Sequence, residues 1–406
     1  MTQQFSALGL DRDADYRALA HYFRPIFARI RAGALQREQQ RELLHEPLQW
    51  LREARFGALR VPVASGGYGA TLPQLFALLT ELAAADSNIT QALRAHFSFV
   101  ETILIEGDAA RQQRWFTRLV EGDWVGNAWS EPGSAKQLTF STTVLPRDTG
   151  FELNGEKFYT TGSLYADWIN IGASDENQAW VGVTVNRHHP GVEVIDDWDG
   201  FGQRLTASGT TRFHQVPVAA EDIFPHDASA TTSTTAFNQL VHLATLAGIG
   251  QAAGEEVALA VRQRQRSYSH GNAARAAQDP QILQIVGKVH SAVWAAQALV
   301  QQSAQELDYA RQVQHQPQLA DAANQQAELA VAQAQTVVSA LVLDAVELIF
   351  DALGASATSS ALGLDRHWRN ARTLVSHNPR VYKERIVGDY VVNGQPPSYQ
   401  WRIGTA

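Results

Sequence analysis

With 406 residues, 45% of them apolar and 18% charged, the chain has material for a large core and for two or three domains. Its formal net charge of −8 argues against a general nucleic-acid binder, which needs a basic face to displace counterions. Having no cysteine, it cannot form a disulfide, a thiol nucleophile or a thiolate metal site.

From about residue 12 to 120 apolar side chains recur at three and four, as in Leu75, Leu78, Leu79 and Leu82, which predicts helices. The stretch from Pro62 to Gly69 interrupts them with three glycines and a proline. Charges at Asp11, Arg12, Asp13 and Asp15 break any apolar leader, so a cytoplasmic location is expected. Between about 126 and 227 the pattern turns to strands. Phe151, Leu153, Trp180, Val181, Val183 and Val185 lie in short runs divided by Asp148-Thr149-Gly150, Asn154-Gly155 and Pro190-Gly191, each read as a turn. A Ser/Thr-rich linker at 228–235 leads back to helix over 236–268, 279–312 and 319–353, and Gly354 is placed to stop the last. Asp344, Glu347 and Asp351 put too many charges in that last stretch for a membrane span. The boundaries expected are 1–125, 126–230 and 231–406.

Sulfur is nearly missing. Apart from Met1 there is no methionine either, where a chain of this size carries on the order of a dozen sulfur-containing residues. Two selective pressures would produce this: economy when sulfur is scarce, and avoidance of side chains that oxidants damage. Genome bias and deliberate removal of thiols are the alternatives.

Several patterns invite a functional reading and do not sustain it. Gly248, Gly250 and Gly254 lie inside a helical segment, so they fit close helix packing better than a dinucleotide fingerprint, which needs a preceding strand. Adjacent His188 and His189 would point to opposite faces of a strand, which makes a metal site improbable and a surface turn the better account. His290 and Trp294 share a helix face, a packing arrangement.

Three stretches carry more. Gly126-Asn127-Ala128-Trp129-Ser130-Glu131-Pro132-Gly133-Ser134 and Asn154-Gly155-Glu156-Lys157-Phe158-Tyr159-Thr160-Thr161-Gly162-Ser163 mix aromatics with hydroxyls and amides, as suits a flat ligand with a polar rim. Arg366-His367-Trp368-Arg369-Asn370-Ala371-Arg372, followed by Ser376-His377-Asn378-Pro379, puts cations and a histidine at the end of a late helix.

In order and spacing these stretches resemble the acyl-CoA dehydrogenase superfamily over nearly the whole chain. The resemblance implies an α+β protein with an N-terminal α-helical domain, a central β-barrel domain and a C-terminal four-helix bundle, assembled as a homotetramer around flavin. It places Trp129, Ser130, Tyr159 and Thr161 at the isoalloxazine ring, with Asn127 and Ser163 as further polar contacts. It puts Arg264 or Arg266 near a flavin phosphate, adds Arg369 to the cofactor side, and has Trp198, Arg204 and Thr206 line the mouth of the site.

The departures from the dehydrogenase pattern are informative. Removing an α proton from an acyl thioester needs a carboxylate base. Of the two positions the family uses, one falls in the neighbourhood of His377, with no carboxylate before Glu384, and the other at Asn238. The first motif is also shortened after Pro132. A dehydrogenase is therefore disfavoured, and the chain is similar instead to the flavin monooxygenase branch of the superfamily, through Gly126–Pro132, Arg369–Arg372 and Val387–Gly394.

That branch implies reduced FMN, rather than FAD, supplied by a separate NAD(P)H:flavin reductase. Reaction with O2 then gives a C4a-(hydro)peroxyflavin, which oxygenates a small organosulfur compound: a sulfone, sulfinate or thioether. His96 and His377 become the pair expected to stabilise the peroxyflavin, and Thr161 the partner of flavin N5. An N-oxygenase of an amine or amino sugar and a non-enzymatic flavin carrier are the competing readings. The loops at 133–142 and 224–235 and the C-terminal tail shape the pocket and carry no legible motif.

Overall fold

The computed structural model describes residues 10–133, 140–226 and 230–400. Ser134 and parts of both pocket-shaping loops therefore lie outside the described residues.

Among the described residues six helices come first: α1 (Ala14–Gln40), α2 (His45–Glu53), α3 (Leu72–Ala85), α4 (Ser87–Ala92), α5 (Arg94–Glu106) and α6 (Ala109–Glu121). Their limits follow from capping chemistry. The Asp13 carboxylate accepts from the amides of Asp15 and Tyr16 to start α1, and Thr71 with Gln74 forms a reciprocal capping box on α3. Gly122, at φ 103°, ends α6 in the left-handed region. The Leu75–Leu82 stripe of α3 is fully buried, as its spacing predicts.

Eight strands follow: β1 (Val125–Ala128), β2 (Thr143–Pro146), β3 (Phe151–Lys157), β4 (Trp168–Ser174), β5 (Trp180–Asn186), β6 (Val192–Val194), β7 (Thr211–Val218) and β8 (Ile223–Pro225). They pair in the order β6-β7-β3-β2-β4-β5-β8, and β1 joins β4 in parallel, with Val125 opposite Trp168. β5 also approaches β7, so the sheet curls around a core of Leu153, Ile169, Ile171, Val183, Phe213 and Val216. The turn read at Asp148-Thr149-Gly150 does join β2 to β3. Asn154-Gly155 does not turn: it lies within β3 at a bulge, where Gly155 adopts φ 151° and a Cβ would fall 2.6 Å from Thr142 Cα.

The last five helices are α7 (Thr234–Gln263), α8 (Pro280–Gln312), α9 (Pro317–Leu353), α10 (Asp365–His377) and α11 (Arg380–Asn393). Helices α7, α8 and α9 pack on one another, α10 lies against α7 and α9, and α11 continues along α9. Gly354 ends α9 as expected, at φ 61°. Helix α7 stops at Gln263, short of the expected 268, which leaves Arg264 and Arg266 beyond its end. α7 also faces α3 across a continuous core, made possible by small residues: a Cβ on Gly248 would meet the Thr80 carbonyl at 2.5 Å. Packing is thus the role of these glycines.

Candidate functional site

The two motifs of the β domain are locked together from below. Lys157, with no exposed side-chain surface, reaches Glu131 at 2.7 Å, and the same carboxylate accepts from the amides of Ser141 and Thr142. Burial works to raise the Glu131 pKa, but the Lys157 ammonium and the two amides outweigh it and hold it at about 2. Burial also lowers Lys157, to about 8, against the pull of Glu131, so both groups are charged at neutral pH. One step along the chain, the Ser130 carbonyl accepts from the Phe158 amide at 2.9 Å. This brings the Trp129–Ser130 edge beside the Tyr159–Ser163 loop.

That loop is held in an unusual shape. Tyr159 takes φ 60°, in the left-handed region, and leaves its ring 54% exposed beside Phe158 and Trp198. Gly162, at φ 80°, lies so close to α4 that a Cβ would fall 2.2 Å from the Ala92 carbonyl. Ser163 Oγ donates to the Asn127 carbonyl at 3.1 Å, while Asn127 Oδ1 is buried without a partner. Below the loop the Thr161 and Ser208 hydroxyls lie 2.7 Å apart, Ser208 and Thr206 lie 2.8 Å apart, and Thr206 donates to the Gln203 carbonyl at 2.9 Å.

A second group of polar side chains lies where α5, α7 and α10 meet. The His377 ring, in the last turn of α10, packs on His242 of α7, with centroids 4.3 Å apart and planes at 44°. Asn378 fixes that turn: its Nδ2 donates to Gln239 and its carbonyl accepts from Gln335. His377 keeps exposed surface although His242 packs against its ring. Burial and the nearby Arg94 guanidinium lower its pKa to about 3. Burial, His377 and Arg94 keep His242 well below the usual histidine value, and neither of its ring nitrogens has a partner among the described residues. Both imidazoles are neutral at pH 7. Asn238, one helical turn before His242, accepts from Arg94 at 3.4 Å.

Several expected site residues are occupied otherwise. His96 is fully buried against Trp124, its Nε2 donating to the Gly57 carbonyl at 2.9 Å and its Nδ1 accepting from the Val125 amide at 3.3 Å. With both nitrogens committed, its ring anchors β1, and the imidazole against His377 is that of His242. The Arg369 guanidinium is braced by Glu38, Asp365 and the Phe201 carbonyl, tying α10 to α1 and the 201–203 loop. Arg264 binds the Leu353 carbonyl, and Arg266 stays exposed. Trp129 packs toward Phe140, Gly172 and His226. At the mouth, Trp198 donates to the Gln203 carbonyl and Arg204 to that of Glu38, while Thr206 belongs to the hydroxyl chain.

Arg94 and His242 escaped the sequence reading. A legible sign was the four-residue spacing of Asn238 and His242, which puts two polar side chains on one face of a mostly apolar stretch of α7. Arg94 opens a helix whose neighbours Ala95, Phe97 and Phe99 are core, so its charge was the anomaly.

Comparison with known proteins agrees with this architecture. The models of the acyl-CoA dehydrogenase N-terminal, middle and C-terminal domains match residues 14–123, 126–216 and 240–379 in that order. The chain is 29% identical over 357 residues, 86% of its length and 88% of the relative's, to a probable FMNH2-dependent monooxygenase, SfnC, of Pseudomonas putida. The dibenzothiophene monooxygenase TdsC of Paenibacillus sp. A11-2, solved with FMN and indole, superposes with a TM-score of 0.87 at 26% identity, covering 95% of this chain and 100% of that one. The methanesulfinate monooxygenase MsuC of Pseudomonas fluorescens gives 0.86 at 25% identity, covering 94% and 99%. With three domain models matched in sequence over three matching structural units, the chain belongs to the acyl-CoA dehydrogenase family.

Proposed function

We propose that this protein is the oxygenase component of a two-component system, which takes reduced FMN from a separate NAD(P)H:flavin reductase and uses O2 to oxygenate a small organosulfur compound. The observation that carries the reading is the pair of neutral imidazoles, His242 and His377, beside Asn238, where a dehydrogenase would place its carboxylate. Neutral rings can hold or donate a proton without setting a negative charge next to a peroxide.

The residues fit a flavin. Unpartnered Asn127 Oδ1 is a buried polar atom open to a hydrogen-bonding group. Tyr159 offers a face, Thr161 a hydroxyl at the ring edge, and exposed Arg266 a cation for the phosphate. When bound, reduced FMN supplies the electrons that activate O2. His377 and His242 would hold the proton on the distal side, and His96, through Val125, would position the strand that carries Asn127. Exposed Trp294 on α8, Val337 on α9 and Val391 and Val392 on α11 support burial of these helices in a homotetramer.

Stopped-flow mixing of the protein and reduced FMN with O2 tests the reading. A C4a-(hydro)peroxyflavin absorbance that builds and then decays is expected, with oxygenated product formed when a substrate is present. Oxidised flavin appearing at the rate seen without protein would overturn it.

A further inference from the structure

We infer that Arg94 is an oxyanion anchor and that the substrate oxygenated here is an alkanesulfinate, bound through its two oxygens, an inference that rests on the oxygenase reading above. Among the buried or half-buried arginines, Arg37 faces Asp86, Arg60 and Arg311 share Glu101, Arg366 faces Glu256 and Arg369 faces Glu38. Arg94 is different. Among the described residues its one hydrogen bond runs from Nη1 to the neutral Asn238 amide at 3.4 Å, and its Nε is buried without a partner.

The side chains around it add no negative charge. His242 and His377 are neutral, and their tilted ring pair lies near the guanidinium. A half-buried guanidinium whose Nε is shut off from water and that has no counter-ion is only partly compensated. Such a charge is at home when an anion completes it, and its planar fork suits two oxygens on one atom. A sulfinate offers that pair, and because its sulfur is pyramidal, holding both oxygens leaves the sulfur lone pair facing away from Arg94. A sulfone offers two oxygens but no charge, and no sulfur lone pair.

The reaction balances as RSO2⁻ + FMNH2 + O2 → RSO3⁻ + FMN + H2O. One S–O bond forms as the O–O bond breaks, sulfur and the flavin each give two electrons, and the second oxygen leaves as water with the two flavin hydrogens.

Titration calorimetry of the flavin-free protein with methanesulfinate, and with dimethyl sulfone as the neutral comparison, tests the assignment. The wild type should bind methanesulfinate, Arg94→Gln should weaken that binding at least about 30-fold, the loss expected of an unpaired buried charge contact, and Arg94→Lys should fall between them. FMN affinity should stay within about threefold of wild type, as should the response to dimethyl sulfone. Arg94→Lys keeps the charge and leaves the test readable if the glutamine variant does not fold. Equal methanesulfinate binding by wild type and variants, or none by the wild type, overturns the inference. A loss of FMN affinity as large as the loss of methanesulfinate affinity also overturns it, because Arg94 would then be a flavin contact. An anchor that behaves as expected in a protein that forms no sulfonate from FMNH2 and O2 would instead sink the oxygenase reading and leave the anion site standing.

Discussion

Replacing His377 by alanine is expected to lower oxygenated product by about 10²- to 10⁴-fold, the range that a positioned proton donor contributes, while reduced flavin is still consumed. The ring keeps exposed surface and sits at the end of a braced helix, fixed by Asn378 on Gln239 and Gln335. Without it the flavin-bound oxygen should leave as H2O2, so the ratio of H2O2 to product is the quantity to measure. Thermal stability should change little, because the side chain is open to solvent. The pH profile adds a second readout. With its pKa lowered to about 3 by burial and Arg94, His377 stays neutral across pH 5 to 8, and the wild-type profile should carry no histidine limb from it there. An unchanged product yield in the variant would remove His377 from the chemistry.

Lys157→Met is expected to be the most damaging single change to the β domain. It would leave Glu131, 4% exposed, without its ammonium, and breaking a buried pair on one side costs about 3–5 kcal/mol. The lesion would fall where the two motifs meet, so the 140–142 segment held by Glu131 should loosen with it. Urea unfolding measures the loss. Adding Glu131→Leu should recover a large part of it, since a pair replaced by apolar groups is often near neutral. A single variant within about 1 kcal/mol of wild type would show that solvent or another cation reaches Glu131.

Much of the fold was legible because its determinants are local. The Leu75–Leu82 stripe, the turn at 148–150 and the stop at Gly354 each depend on a few neighbouring residues, and the structure has all three. Asn154-Gly155 has the composition of a turn, but the reason for Gly155 is Thr142 on the adjoining strand, a fact of tertiary packing. The site was harder to read. His96 and Arg94 are two positions apart on α5, and only the orientation of that helix decides that the histidine faces Gly57 and the arginine faces α7. The sequence puts Arg369 on the cofactor side, and its partner Glu38 lies 331 positions away. Chemistry could be listed from the chain, but which nitrogen is committed and which is free is settled by packing.

The three hydroxyls beneath the 159–163 loop have a direction. Each carries a single hydrogen, and that of Thr206 lies on the Gln203 carbonyl, which has none to give. Ser208 must then donate to Thr206, and Thr161 to Ser208. Thr161 is left with lone pairs alone, so whatever faces it must bring its own hydrogen. Where that partner is flavin N5, as proposed above, the reduced ring carries an N–H there and the oxidised ring a bare nitrogen. With N5 there, three small side chains would rank the two redox forms of the cofactor, favouring the one that arrives charged with electrons over the one that must depart.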